Sequence, residues 1–516
     1  MQTGVIIGVV IYELVVILGC TFALSYMEKK KAAHASAEAH AQGKADDFVL
    51  AGRGMGAITL ATTIALTVLG SAHITGIFEM TYNQGSVSVW FSLAHVIMIV
   101  IACFCTGLWV RKVGITTVPQ ALKEMYGKGP SLAITCIMAG QIWGVLTLEC
   151  QGVGIVIATL TGWDVQQAVI VGGILGILYV VFAGMKEVGA VNNINAIVMY
   201  IGLVVACIVV GIKLPGAYDN AKAVLDAAPE TSFFTNIFGT PDLMITFAVG
   251  QIIAVTFCQS ISQMLMQTFM SARSDKAIRK TVWIAAPLNG MFGSFAVALA
   301  LVARSIPEYA DLGAKLATTT MLVNVLPAFV SALLLAALLA AILSTFAMTS
   351  LTTATLWVND IYRPLFRPKA SPKELINVNR VMIIIVALIA IMVSTFLPTI
   401  LGAIEWVFAW IVPIFWLFIF GMFWKSNGKV AAATLAVAWI LNLLWSFAGL
   451  QTTVANATGL NLPNGYVTLI ASLVVLIIGN LAVGKNANPA YIKMKSAQIA
   501  EIQAEMDAAE LAASKK

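Results

Sequence analysis

Apolar residues in this chain come in long blocks separated by short polar segments, not in alternation at period two. A helix that crosses a bilayer needs about 20 consecutive apolar residues. In lipid a helix also satisfies all of its own backbone groups. By that rule the blocks predict thirteen spanning helices, at 4–26, 56–79, 86–110, 130–160, 165–183, 189–213, 240–268, 279–305, 325–357, 377–397, 400–424, 429–448 and 465–484. Two blocks are interrupted. Helix 2 carries Gly70, Ser71, His73, Thr75 and Gly76, and helix 7 carries Thr256, Gln259, Ser260, Ser262 and Gln263. Backbone freed at such a break has to be satisfied by a cavity, an ion or a neighbouring helix.

The polar positions orient the array. With the N-terminus outside, the odd number of helices puts the C-terminus inside. Lys213, Lys222, Arg304 and Lys315 then fall outside, and the other 26 of the 30 Lys and Arg fall inside, as the positive-inside rule requires. One helix more or fewer would reverse every later loop and destroy the asymmetry. The first block has no basic residue ahead of it and Lys29–Lys31 after it, so it reads as an uncleaved helix. The stretch 27–47 reads as a cytoplasmic linker whose His34 and His40 share no evident face. The outer loops 214–239 and 306–324 are long enough for short interfacial helices. An integral domain over 1–485 is followed by a tail, 486–516, in which Ile492, Ile499, Ile502, Met506 and Leu511 among charges predict a short cytoplasmic helix.

Composition agrees. The chain has 516 residues, 60% hydrophobic and 10% charged, with a mean hydropathy of +0.91; soluble domains carry about 25% charge. The net charge of +6 sits on the inner loops, so it does not indicate a nucleic-acid partner. Seven cysteines lie in apolar segments without a Cys-x-x-Cys spacing, which indicates neither a disulfide framework nor a zinc site. With no metalloprotease motif, no phosphate loop and no appended domain, an enzyme or a sensor is disfavoured.

Chemistry concentrates in helix 9. On an α-helix, positions i, i+3 and i+4 share a face, so the carbonyl of Ala341 and the hydroxyls of Ser344 and Thr345 can converge on a small hard cation. The plain alternative is that both hydroxyls bond back to the preceding turn. Ionisable residues within spans are functional candidates by default. Glu149 lies deep in helix 4, two turns beyond Trp143, a pairing that suits an amine or zwitterion. His73 sits in the helix 2 interruption, where it serves a ligand or bonds a neighbouring carbonyl. Glu405 lies near the outer interface and Glu13 in helix 1.

Several segments, in order, resemble the sodium:solute symporter family. These are FVLAGRGMG (48–56), TTVPQALKEMYG (116–127), FAGMKEVGAVNNINAIVM (182–199), MQTFMSARSDKAIRK (266–280, with Thr268 where Arg is common), and the helix 9 run ending Asp360-Ile361-Tyr362. The resemblance covers about residues 48–425. It implies an all-α, LeuT-like fold with a five-plus-five inverted repeat, helices 2–6 and 7–11. It implies a sodium cage of the Leu66 and Leu69 carbonyls with Ala341, Ser344 and Thr345. It places the solute near Gly70, Ser71, His73, Trp143, Glu149 and Gln263. The function it implies is sodium-coupled import of a small organic solute by alternating access in the plasma membrane, by a monomer or homo-oligomer. Proton coupling through Glu149 is the alternative, and a passive channel is less favoured because no ring of filter residues recurs. Some members carry a second sodium site with two further hydroxyls in helix 9 and an Asp opening helix 6. Ala347, Met348 and Asn192 stand at those positions here, which implies one sodium per cycle.

Overall fold

The structure is a computed structural model that describes residues 4–13, 15–16, 19, 50–182, 185–396 and 400–514. The end of helix 1, residues 20–26, and the linker with His34 and His40 therefore lie outside the described residues. The helices are α1 (Gly4–Glu13), α2 (Ala57–Val68), α3 (Ser71–Gln84), α4 (Val89–Ile101), α5 (Gly107–Val113), α6 (Val118–Tyr126), α7 (Lys128–Thr161), α8 (Val165–Phe182), α9 (Met185–Lys213), α10 (Ala217–Ala227), α11 (Gly250–Gln259) and α12 (Gln263–Met270). They continue with α13 (Asp275–Ser305), α14 (Gly313–Val325), α15 (Ala328–Leu356), α16 (Pro372–Ser394), α17 (Ile400–Ala409), α18 (Val412–Phe423), α19 (Gly428–Phe447), α20 (Leu450–Thr458), α21 (Asn464–Val483) and α22 (Ser496–Ser514). Among the described residues, ten helices are long and apolar enough to cross a membrane, and three shorter apolar ones accompany them at Gly4–Glu13, Ala57–Val68 and Val165–Leu178. The chain is a multi-pass integral membrane protein.

The order of elements repeats. A broken helix (α2 then α3), a long helix (α4 with α5), a short one (α6) and three more (α7, α8, α9) are followed by a second broken helix (α11 then α12), a long helix (α13), a short one (α14) and three more (α15, α16, and α17 with α18). Local chemistry sets the boundaries. Gln120 accepts the Thr117 N–H ahead of α6, and Ser274 and Ser371 cap α13 and α16 by accepting from Ala277 and Glu374. Each cap takes up one of the donors that a helix start leaves over. Gly162, at φ +73°, ends α7 in the left-handed region that only glycine enters without strain.

The apolar window of α15 is 83% buried inside the protein, against 22% for the span that includes α21. The first is therefore the axis of the bundle and the second a peripheral, lipid-facing element. Its small residues, Ala336, Ala337, Ala340 and Ala341, let α7 and α9 pack closely on it, with α2, α8 and α16 completing the surround.

The two interrupted spans, 56–79 and 240–268, are each two helices, separated at Leu69–Gly70 and Ser260–Ser262, as the sequence reading expects. Other boundaries differ from it. The predicted span 400–424 is divided at Trp410–Ile411, ahead of Pro413, whose ring enters only the first turn of a new helix. Span 377–397 starts earlier, at Pro372, because Ser371 caps it. The loops 214–239 and 306–324 hold α10 and α14, short helices as expected. The helices α6 and α20 were not foreseen.

The tail forms α22, and it packs on α5. A two-residue antiparallel pairing, β1 (Lys425–Ser426) with β2 (Asn488–Pro489), leads into it. Tyr491 Oη donates to Glu124 Oε2 at 2.9 Å, and Lys495 Nζ lies 2.8 Å from the same oxygen. The phenol's pKa is raised, by burial first and then by the Glu124 carboxylate.

Candidate ion and solute site at the helix breaks

The end of α2 frees carbonyls. Leu69 (φ −86°, ψ 52°) and Gly70 (φ −80°, ψ −162°) leave the helical path, so the last carbonyls of α2 need other donors. The Ala65 carbonyl still accepts from Leu69 N–H at 3.1 Å. His73 Nδ1 lies 2.8 Å from the Val68 oxygen. The Thr345 hydroxyl of α15 reaches the Leu66 oxygen at 3.1 Å, the Thr67 oxygen at 3.3 Å and its own Ala341 oxygen at 3.3 Å. Three of the five expected cage residues, Leu66, Ala341 and Thr345, thus meet at one point between the two repeats.

The other two are consistent with that point without touching it. Ser344 is fully buried one residue before Thr345, and among the described residues its hydroxyl has no hydrogen-bond partner. The Leu69 carbonyl, at the break itself, accepts no hydrogen bond among the described residues. A buried hydroxyl and a buried carbonyl left unpaired cost about 1–3 kcal/mol each. A cation at the break offsets that cost. The oxygens are uncharged, which suits an ion that has to bind and then leave. No group of three or more His, Cys, Asp and Glu occurs among the described residues, and the donors at the break are uncharged hard oxygens.

Across the break, Glu149 of α7 accepts the Ser71 N–H at 2.8 Å and is 1% exposed. Its carboxylate occupies the N-terminus of α3, where the helix dipole favours negative charge. It also lies against Gly70, where a Cβ would fall 2.3 Å from Oε1. A Cβ on Gly152 would fall 2.2 Å from that of Ser71, so α7 and α3 pack with no room for a side chain between them. On the same helix, about 12 Å further toward its start, the Gln141 amide oxygen accepts from Ser262 Oγ at 3.2 Å in the second break. One straight helix therefore braces both breaks. Gln141 was not singled out from sequence, because a glutamine in an apolar run carries no signal of which break it faces.

The remaining candidates separate. His73 serves the α2–α3 junction through Val68 and stacks with Phe91 and His95, ring centroids 4.8 and 4.1 Å away. Its Nδ1 bond fits the reading of a core histidine, while its Nε2 has no hydrogen-bond partner among the described residues. Trp143 Nε1 donates to the Val386 oxygen at 3.1 Å and ties α7 to α16. Gln263 is engaged at both ends of its amide, accepting from Val118 N–H at 2.7 Å and donating to the Thr116 oxygen at 3.0 Å. It anchors the loop ahead of α6. Glu405 accepts from the Gln251 amide and, with Glu79 of α3, lines a separate cavity of about 360 Å³ near Asn83, Gln451 and Asn461.

The sodium:solute symporter family model matches residues 48–440. The symporter YidK of Escherichia coli (strain K12) is 26% identical over 414 residues, 76% of this chain and 71% of that protein. The high-affinity choline transporter 1 of Drosophila melanogaster is 24% identical over 412 residues, 77% of this chain and 63% of that protein. The match to the human sodium/iodide cotransporter covers 38% of that protein at 22% identity; less than half of that relative is spanned. Among solved structures, a substrate-bound, outward-open Na+-coupled sialic acid symporter superposes with a TM-score of 0.71 at 18% identity, covering 86% of this chain and 93% of that one. The nucleobase-cation-symport-1 family transporter Mhp1 superposes at 0.56 and 14% identity, covering 89% and 98%. These likenesses establish the LeuT-like fold of a transporter rather than an enzyme. With its family model spanning both helix breaks and the central helix α15, the chain belongs to the sodium:solute symporter family.

Proposed function

We propose that the protein couples inward sodium flux to import of a small organic solute, with sodium held by the Leu66, Leu69 and Ala341 carbonyls and the Ser344 and Thr345 hydroxyls. The observation that carries this reading is the Thr345 hydroxyl, which spans from α15 to two carbonyls at the end of α2. An ion between those helices ties the second repeat to the first, so its arrival and departure bias alternating access. The loss of hydroxyls at Ala347 and Met348 and of charge at Asn192 supports one sodium per cycle.

Glu149 narrows the solute. In broken-helix transporters a half-helix N-terminus receives the anionic group of the substrate. Here a protein carboxylate already occupies that position at α3. The solute therefore carries a neutral or cationic group toward Gly70, Ser71 and Glu149. Proton coupling through Glu149 is the second reading, favoured by the burial of that carboxylate.

Thirteen spans with the N-terminus outside fit the ten long apolar helices together with the three shorter ones. In that orientation the inner face is closed. Arg53 donates to the Gly114 and Ile115 oxygens, Met55 pairs with Ala272, Arg111 donates to the Ala272 oxygen, and Thr117 donates to Asp360. The test is uptake into proteoliposomes of candidate solutes found by thermal-shift screening, under imposed sodium or proton gradients. Accumulation driven by sodium alone is the expected result. Accumulation driven by protons and indifferent to sodium overturns the assignment.

A further inference from the structure

A cavity of about 600 Å³ opens beside the inner end of α2 and α13, lined by the first turn of α2, by Arg273, Lys276 and Lys280, and by Trp283. Three cations share one space. Among the described residues no carboxylate pairs with Arg273 or Lys280, and the neighbouring Asp275 is engaged by Lys112 at 3.0 Å. The Arg273 position is fixed from behind, because its N–H donates to the Met55 oxygen at 3.0 Å and its guanidinium lies over Gly56. Gly56 is also the residue just ahead of α2, and it has no side chain to take up the first N–H groups of that helix. Positive charge and free donors thus face the same volume.

The rim is apolar. Trp283 is 79% exposed and Ile58 is 68% exposed, both on helices that continue into the membrane. An indole at the start of a spanning helix sits at headgroup level. A soluble anion gains nothing from those two surfaces, whereas a lipid places its acyl chains against them. One carboxylate does reach the cavity. Glu510, near the end of α22, lies 3.4 Å from Lys276 Nζ. The same helix covers the closed inner face, since Ile502 stands where a Cβ on Gly114 would fall, 2.6 Å from its Cδ1.

We propose that this cavity binds the phosphate of an anionic phospholipid headgroup, and that Glu510 of the C-terminal helix competes with the lipid for Lys276. Lipid binding then loosens the end of α22 from the face that Arg53 seals through Gly114. The proposal uses the inner assignment of this face from the topology above, but it needs neither sodium nor solute, so binding measured without transport separates the two.

The test is titration of the purified full chain in neutral detergent with phosphatidylglycerol, phosphatidylcholine or glycerol 3-phosphate, followed by native mass spectrometry and thermal shift. Each basic group near a lipid surface contributes about 1 kcal/mol, so phosphatidylglycerol is expected to bind at least about tenfold tighter than phosphatidylcholine. The triple variant Arg273→Gln, Lys276→Gln, Lys280→Gln should lose that preference while keeping its melting temperature in phosphatidylcholine. A charge-matched control at Lys123, Lys128 and Arg363, which line another inner cavity, should retain it. Glu510→Gln should tighten phosphatidylglycerol binding several-fold. If the triple variant does not fold, Lys276→Gln alone carries the same comparison. A preference that survives at Lys276, or is lost equally in the control, overturns the site. Glycerol 3-phosphate matching phosphatidylglycerol overturns the lipid assignment, and unchanged affinity in Glu510→Gln overturns the competition.

Discussion

Removing the Thr345 hydroxyl tests the proposed ion site at its most connected atom. In the structure this oxygen lies within 3.3 Å of the Leu66, Thr67 and Ala341 carbonyls. A hydrogen-bonding contact to a charged group is worth about 1.5–3 kcal/mol, and 1.4 kcal/mol is a factor of ten in affinity. Thr345→Ala should therefore raise the sodium concentration for half-saturation by about 10- to 150-fold. Ser344→Ala should raise it in the same range, because the buried Ser344 hydroxyl has no hydrogen-bond partner among the described residues and is free to ligate an ion. The two variants differ in fold stability. Thr345→Ala also strips a donor from the end of α2 and should lower the melting temperature without sodium, whereas Ser344→Ala removes an unsatisfied group and should not. Thr345→Ser keeps the oxygen and should bind sodium nearly as the parent does. The assay is the melting temperature of detergent-purified protein as sodium replaces potassium, since a ligand that binds only the folded state stabilises it by mass action. An unchanged sodium dependence in both alanine variants refutes the cage.

Glu149→Gln should impair uptake more than Glu405→Gln, because Glu149 alone occupies the α3 N-terminus at the break; normal rates and coupling in Glu149→Gln would make it a purely structural acid. Gly70→Ala places a methyl 2.3 Å from the Glu149 carboxylate and should cost about 1–3 kcal/mol of stability together with most transport, read by thermal shift and uptake. Gln263→Ala leaves the Val118 N–H without its acceptor and should cost about 1–3 kcal/mol with little change in apparent solute affinity; a large rise in solute KM would return Gln263 to the solute site. Reversal-potential measurements should give one sodium per neutral solute, and a ratio near two would reveal a second cage.

Much of the protein was legible in one dimension. The lipid solvent forces every spanning segment to be apolar and helical, so block length gave most of the helices, and charge asymmetry between loops suggested their direction. Glycines, hydroxyls and amides within two apolar blocks marked both breaks, and helical periodicity put Ala341, Ser344 and Thr345 on one face. Only tertiary structure decided what those groups meet. Whether Thr345 bonds back to its own helix or reaches α2 depends on how closely α15 and α2 pack, and the answer is that it does both. Gln263 and Glu149 look alike in sequence, as polar residues within apolar runs. They part because α12 brings one to the loop before α6, while α7 presses the other against Gly70. The docking of the tail helix against α5 was hidden for the same reason: a chain's own pattern records which face is apolar, but the partner of that face is chosen by distant segments.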